Sequence, residues 1–411
     1  MAFGIRAAAV LGFLLPIYAV ADLSPGLFFG AKAVLMGLLA MALATIPGRS
    51  SRFLDRAWAP YLLGIIVGSI ASGSGASVAV AMTTIGAVIV GSLVGRNPRF
   101  LHELLVGFRA GVFVSSLVLI LDVLGYTKLS PPNLQLLGHG GLWSRSTGFS
   151  YLAALALAFW RFMPGGRASR WARARWLFEG GVVFAALLAS GGRGGLVAAL
   201  LVLLTAVFTL AKRYNPAITI AIVGLSVGLA VFSGAELFSI QRLLDWETKS
   251  SIDEFSSGRL ELYRLALSEA LEGPLLGRGL EAGVTPEGAT TAISAHNSIL
   301  EALLAGGIVA GIGATLLLFR SLHLAATAIL RSDLFFVGGG LVVLIVKATL
   351  DSGTLIGASN PFLFAALLAA GLSARYQAVV QSRLHGSRRG SPDRLPDGST
   401  LNTMGTPRKV W

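Results

Sequence analysis

A chain that divides into apolar runs of bilayer length has few folds open to it. Backbone N–H and C=O groups inside lipid must be satisfied internally, so the runs must form helices or a closed barrel. Mostly apolar runs of about 17–25 residues are long enough to cross as helices. About 12 such runs can be read, at roughly 7–21, 26–46, 58–72, 77–95, 103–124, 148–163, 176–190, 194–211, 216–234, 296–319, 334–350 and 360–376. Of the 411 residues, 54% are apolar and only 13% are charged, too few to give a soluble domain its polar skin. The expected fold is therefore all-α, a polytopic membrane protein with about 12 transmembrane helices. Several runs are short, and those at 77–95 and 194–211 are rich in small residues, which predicts close contact between helices.

The loops set the expected orientation. A net charge of +13 raises the question of nucleic acid. The basic residues, however, are scattered between apolar runs and form no basic face, so no nucleic-acid partner is expected. Most of the 33 Lys and Arg residues lie in one alternating set of loops and in the C-terminal tail. Such loops stay cytoplasmic during insertion, which predicts two cytoplasmic termini. Ala19-Val20-Ala21 at the end of the first run resembles a signal-peptide cleavage site. A second run follows almost at once, so the first is read as a retained span; its loss would leave every later helix in the same orientation. Cysteine is absent, which excludes disulfides and thiolate metal sites.

Residues 1–381 read as a single transmembrane domain, and 382–411, full of Gly, Ser, Pro and Arg, as a disordered basic tail. The one long outer segment, 235–295, holds an amphipathic run at 259–271, with Ser256 and Ser257 placed to cap it. Three basic groups then fall at outer helix mouths. Arg193 lies in a short turn between two spans, Arg259 opens the loop helix, and His296 stands just before the span from 298. A cation at a helix N-terminus is repelled by about 0.3–1 kcal/mol. The arrangement suits a multiply charged anion such as pyrophosphate, which matches the planar guanidinium fork. Gly194 and Gly195 are expected to let that ligand approach free N–H groups. Taken singly, each residue also has a structural reading: a turn, a surface ion pair, or a cap.

These residues carry a resemblance. His296-Asn297, nine residues and Gly307 resembles the signature of the O-antigen ligase and O-antigen polymerase superfamily. Ser256-Ser257-Gly258-Arg259 is similar to its small-small-Gly-Arg opening of a loop helix, and Gly191-Gly192-Arg193-Gly194-Gly195 to its Arg-Gly turn. Pro274-Leu275-Leu276-Gly277-Arg278-Gly279 is similar to its Pro-x-x-Gly-x-Gly element. The likeness covers about 190–320. Ala310 stands where the family has a second glycine, and Arg278 where it more often has an apolar residue.

The resemblance implies a multi-pass enzyme of the bacterial inner membrane with a periplasmic active site. It would move a glycan from undecaprenyl pyrophosphate to a sugar hydroxyl of lipid A–core, with inversion and without a metal or other cofactor. Membrane lipids would be its other partners. Arg193 and Arg259 would stabilise the leaving pyrophosphate. Arginine cannot serve as a base, whereas histidine, ordinarily titrating near ~6.5, can take the acceptor proton. His296 is thus the expected base. Asn297 is expected to orient the acceptor or the imidazole, and Arg278 to add a phosphate contact. Glu301 points about 140° around the helix from His296 and lies about 7.5 Å deeper, so it reads as a partner for a basic group. Lys32, Asp122, Lys347 and Asp351 are charges in or beside spans and are substrate-binding candidates. The first alternative is a polymerase that uses another lipid-linked repeat as acceptor. The second is a transporter or flippase for an anionic substrate, against which stand the lack of an internal repeat and the outer placement of the candidates.

Overall fold

The computed structural model describes residues 2–17, 34, 36–41, 55–126, 146–160, 170–211, 259–273, 275–279, 284, 295–331, 333–350 and 360–389. Its helices are α1 (Ala2–Leu14), α2 (Trp58–Ala71), α3 (Gly75–Arg96), α4 (Pro98–Val123), α5 (Ser146–Trp160), α6 (Arg170–Ser190), α7 (Arg193–Ala211), α8 (Arg259–Glu272), α9 (Ser298–Ile329), α10 (Phe335–Leu350) and α11 (Asn360–Arg389). Residues Met1–Tyr376 form one compact unit and Gln377–Trp411 a second. Among the described residues three helices, α3, α4 and α9, are both long and apolar enough to cross a bilayer, and α1, α2, α5, α7 and α10 hold shorter apolar segments. Most of the expected span at 26–46, the span at 216–234, most of the 235–295 loop, and residues 390–411 lie outside the described residues.

Local chemistry sets the helix ends. Asn97 alone separates α3 from α4, and its side chain accepts from the Arg99 amide at 3.1 Å while Pro98 opens α4. Ser74 caps α3 through the Ser77 amide at 3.2 Å. Gly191, at φ 68°, ends α6 in the left-handed conformation that glycine accepts at low cost. α9 runs ten residues beyond the expected end at 319, because nothing after Arg320 breaks a helix before Leu330. α11 continues to Arg389, so 382–389 is helical where disorder was expected. Arg383, Arg388 and Arg389 are good helix formers, and a cationic last turn suits the helix dipole.

Small residues draw the helices together. Gly64 and Gly68 of α2 form a Gly-x-x-x-Gly face against α9. A Cβ on Gly68 would stand 2.6 Å from Gly306 Cα, one on Gly64 2.6 Å from Ala310 Cα, and one on Gly313 2.4 Å or less from the Tyr61 backbone. As α9 descends α2 rises, so the pair is antiparallel, and Arg320 Nε reaches Asp55 Oδ2 at 3.1 Å at its far end. Gly107 and Gly111 of α4 lie on α1 in parallel, and Gly91 and Gly95 of α3 meet Leu367 and Gly371 of α11. α5 and α6 are fastened by two indoles. Trp160 Nε1 donates to the Trp176 carbonyl at 3.0 Å and Trp176 Nε1 to the Trp160 carbonyl at 2.8 Å, with the rings stacked at 4.1 Å. Nearby, Arg109 of α4 pairs with Glu179 of α6 at 3.2 Å.

α9 is broken. Gly306 (φ −122°, ψ 16°) and Gly307 (φ 65°, ψ −161°) leave the helical region, and the second conformation is essentially reserved for glycine. The break strands backbone groups whose exposure to lipid would cost several kcal/mol each. Segment 275–279 supplies their partners. Arg278 N donates to Leu304 O at 2.8 Å, Gly279 N to Ala305 O at 2.9 Å, and Ile308 N to Leu275 O at 3.2 Å. Gly277, at φ 81°, leaves only 2.5 Å between a notional Cβ and Gly307 N. The Pro-x-x-Gly-x-Gly element and the glycine that follows His296-Asn297 are therefore two halves of one packed backbone junction.

Candidate active site

The site begins at the C-terminal end of α10. The last carbonyls of a helix have no partner within it and carry partial negative charge. Here three donors from other elements converge on them. Arg259 Nη1, from the first residue of α8, donates to Leu350 O. Tyr263 Oη, one turn further along α8, lies 3.3 Å from Thr349 O, and Asn297 Nδ2 lies 3.4 Å from the same carbonyl. Arg259 is thus settled by the negative end of a neighbouring helix, although it begins a helix of its own. The repulsion expected of a cation at a helix mouth is offset within the protein before any ligand arrives. This contact engages one of the five guanidinium donors.

α8 forms where the amphipathic run predicted it. Its apolar side packs on the first turns of α9, with Ala266, Val284, Ala295 and Leu304 buried together and Leu265, Ala270 and Leu300 against them. That packing fixes Arg259 beside the mouth of α9. Asn297 caps α9, its Oδ1 accepting from the amides of Ile299 at 3.0 Å and Leu300 at 3.3 Å. Both ends of the Asn297 amide are therefore engaged, on α9 and on α10. His296, half-buried, has φ 52°, and among the described residues no other non-glycine residue has a positive φ. Glu301 lies in the first turn of α9, where the dipole favours an acidic group.

A second half of the site lies against α10. Lys347, 8% exposed, holds its ammonium 5.3 Å from the ring centroid of Tyr151 on α5. Tyr151 in turn packs on α7, since a Cβ on Gly194 would collide with its phenol and one on Gly195 would stand 2.4 Å from Ser150 Oγ. The bare faces of these two glycines are thus filled by α5 side chains, where ligand approach was expected. Arg193 opens α7 by its backbone, and its side chain lies outside the described residues, as do Lys32, Asp351 and Ser256–Gly258. Around the end of α10 the fold brings together Arg259, His296, Asn297, Lys347 and the N-terminal turn of α7.

Other candidates stand apart. Arg278 Nη1 is 2.7 Å from Glu269 Oε2 on α8, which ties segment 275–279 to the loop helix. Asp122, 4% exposed, lies at the end of α4, whose neighbours are α1, α3, α5 and α6 rather than α8 or α9. Among the described residues no group of three or more His, Asp or Glu side chains is placed to hold a metal ion. Sequence reasoning missed Tyr263 and the two α10 carbonyls. The spacing of Tyr263 four residues after Arg259, which puts both on one helix face, was the available signal.

These features define a helical protein with bilayer-spanning helices and a polar site gathered where helices end. Residues 180–315 match the family model described as O-antigen ligase, and the match supports the O-antigen ligase and polymerase superfamily that the sequence motifs resemble. Members of that family are membrane glycosyltransferase-like enzymes. The matched region holds Arg193, Arg259, segment 275–279, His296 and the Gly306–Gly307 break. No curated protein matches the chain.

Proposed function

We propose that this protein is an O-antigen ligase, a metal-independent inverting glycosyltransferase of the inner membrane. It would move a glycan from undecaprenyl pyrophosphate to a sugar hydroxyl of lipid A–core on the periplasmic face. The observation that carries this reading is that Arg259 of α8 and Asn297, the cap of α9, both meet the end of α10, with His296 joined to that end through Tyr263. In the reaction the acceptor oxygen attacks the anomeric carbon as the bond from that carbon to the pyrophosphate oxygen breaks. His296 takes the hydroxyl proton, a contribution of roughly 10²–10⁴-fold. The pyrophosphate leaves with the bonding pair, and Arg259 and Arg193 stabilise its charge. Lys347, held on Tyr151, adds positive potential beneath the leaving group. Arg278 and Glu301 are assigned supporting roles, bracing segment 275–279 and seating the mouth of α9, while Asp122, on α4, takes no part in the proposed step. Lys32 and Asp351 keep their places as candidate substrate contacts. Asn297 orients His296 by holding the helix mouth to α10.

The test is transfer in proteoliposomes that contain a pyrophosphate-linked oligosaccharide, with lipid A–core as acceptor, read by gel mobility. Wild-type protein should shift the acceptor, and His296→Ala and Arg259→Ala should each lower the rate by at least about 100-fold. Glycan ladders formed without lipid A–core would replace the ligase with the polymerase. Movement of donor across the bilayer without transfer would replace both with a flippase.

A further inference from the structure

We infer that Tyr263 is a positioning residue that holds His296 in its left-handed backbone conformation. The inference rests on the reading of His296 as the base. A non-glycine residue at positive φ is strained and persists only where its surroundings over-determine it. His296, at φ 52°, is such a residue, and its carbonyl shares the Tyr263 hydroxyl with the end of α10 that Arg259 also reaches. Tyr263 touches it directly, and contacts of Tyr263 and Asn297 with α10 anchor that hold. Tyr263 Oη is 3.3 Å from His296 O and also 3.3 Å from Thr349 O, so its single O–H bridges the strained residue to α10. Asn297, the next residue, anchors to Thr349 O at 3.4 Å while capping α9. Thr349 O is thus a shared anchor for both residues of the mouth. Its own helix fixes it, for Thr349 Oγ1 donates back to Ile345 O at 3.0 Å.

Arg259 and Tyr263 stand four residues apart on one face of α8. A single rigid helix therefore carries two tasks: its first residue meets α10 with a guanidinium, and its next turn holds the backbone of the base. A shift of α8 would move charge and base together. Loss of the phenol alone would leave the guanidinium in place and let the His296 backbone relax, which swings the imidazole away from the acceptor oxygen. Small misplacements of this kind are costly to chemistry and nearly silent in binding.

The experiment compares Tyr263→Phe with wild type, His296→Ala and the double variant. Phe keeps the ring packing and deletes only the O–H. The expected result is a kcat about 10- to 100-fold lower with an unchanged KM for the donor. In the His296→Ala background the same change should have no further effect, because neighbours that act through one group are not additive. A wild-type kcat in Tyr263→Phe beside an inactive His296→Ala would overturn the positioning role and leave the base intact. An active His296→Ala would remove the base reading itself. A readout independent of catalysis is amide hydrogen exchange at residues 295–300. It should quicken in Tyr263→Phe at an unchanged unfolding temperature, and unaltered exchange would also overturn the proposal.

Discussion

His296 shows how one residue serves two physical demands. Its left-handed backbone turns the chain from the end of segment 235–295 into α9, and a Cβ there costs about 1–2 kcal/mol. Glycine escapes that cost and alanine does not. His296→Gly should therefore unfold at a higher temperature than His296→Ala, by roughly 1 kcal/mol of stability, while both lose transfer. Thermal unfolding in detergent, followed by tryptophan fluorescence, decides the matter; equal or reversed midpoints would end the strain account. The placement of His296 and Arg259 at helix mouths was legible because a polar residue at an apolar helix mouth stands out in sequence. The Tyr263 contact was not, since a tyrosine in an amphipathic run looks like part of its apolar face. The carbonyls of Thr349 and Leu350 carry no sequence signal at all, as every residue but for its place in a helix offers the same group.

At the level of the element, the broken helix is the most demanding feature. Gly307→Ala would put a methyl against the Leu275 carbonyl at a φ of 65°. Backbone conformations of this kind cost about 1–3 kcal/mol even without a clash. The expected outcome is a large loss of folded protein by size-exclusion chromatography, against little change for Ala310→Gly. Arg278→Ala removes an ion pair whose arginine is 42% exposed, so it should cost less than about 1 kcal/mol and leave the fold intact. If Arg278→Ala proved the more damaging of the two, the backbone junction would not be what seats segment 275–279. From sequence, Gly307 stands only as a signature glycine inside an apolar run read as unbroken from 296 to 319. The bends in φ and ψ come from a partner segment that no periodicity announces.

Across the whole molecule, the directions of the helices agree with the alternation that the apolar runs require: α2 against α9, α1 along α4, α3 along α11. What the runs did not convey is how charges settle between them. Arg109 and Glu179 lie on separate helices and find each other at 3.2 Å, with Arg175 at 2.8 Å from the same carboxylate. Removing one partner strands the other, which commonly costs about 3–5 kcal/mol in a buried pair and less here, where both are partly accessible. Arg109→Leu and Glu179→Leu should each lower the unfolding temperature more than the double change does. Additive losses in the double variant would show that the two side chains act independently.

The order of the chain gives the broken helix a biosynthetic consequence. Segment 275–279 precedes Gly306–Gly307, so the ribosome delivers the filler before the gap. When the two halves of α9 enter the bilayer, the groups that will complete them have already been made. A rearranged gene that placed this segment after α9 would encode the same contacts and yet insert a helix with its backbone open to lipid.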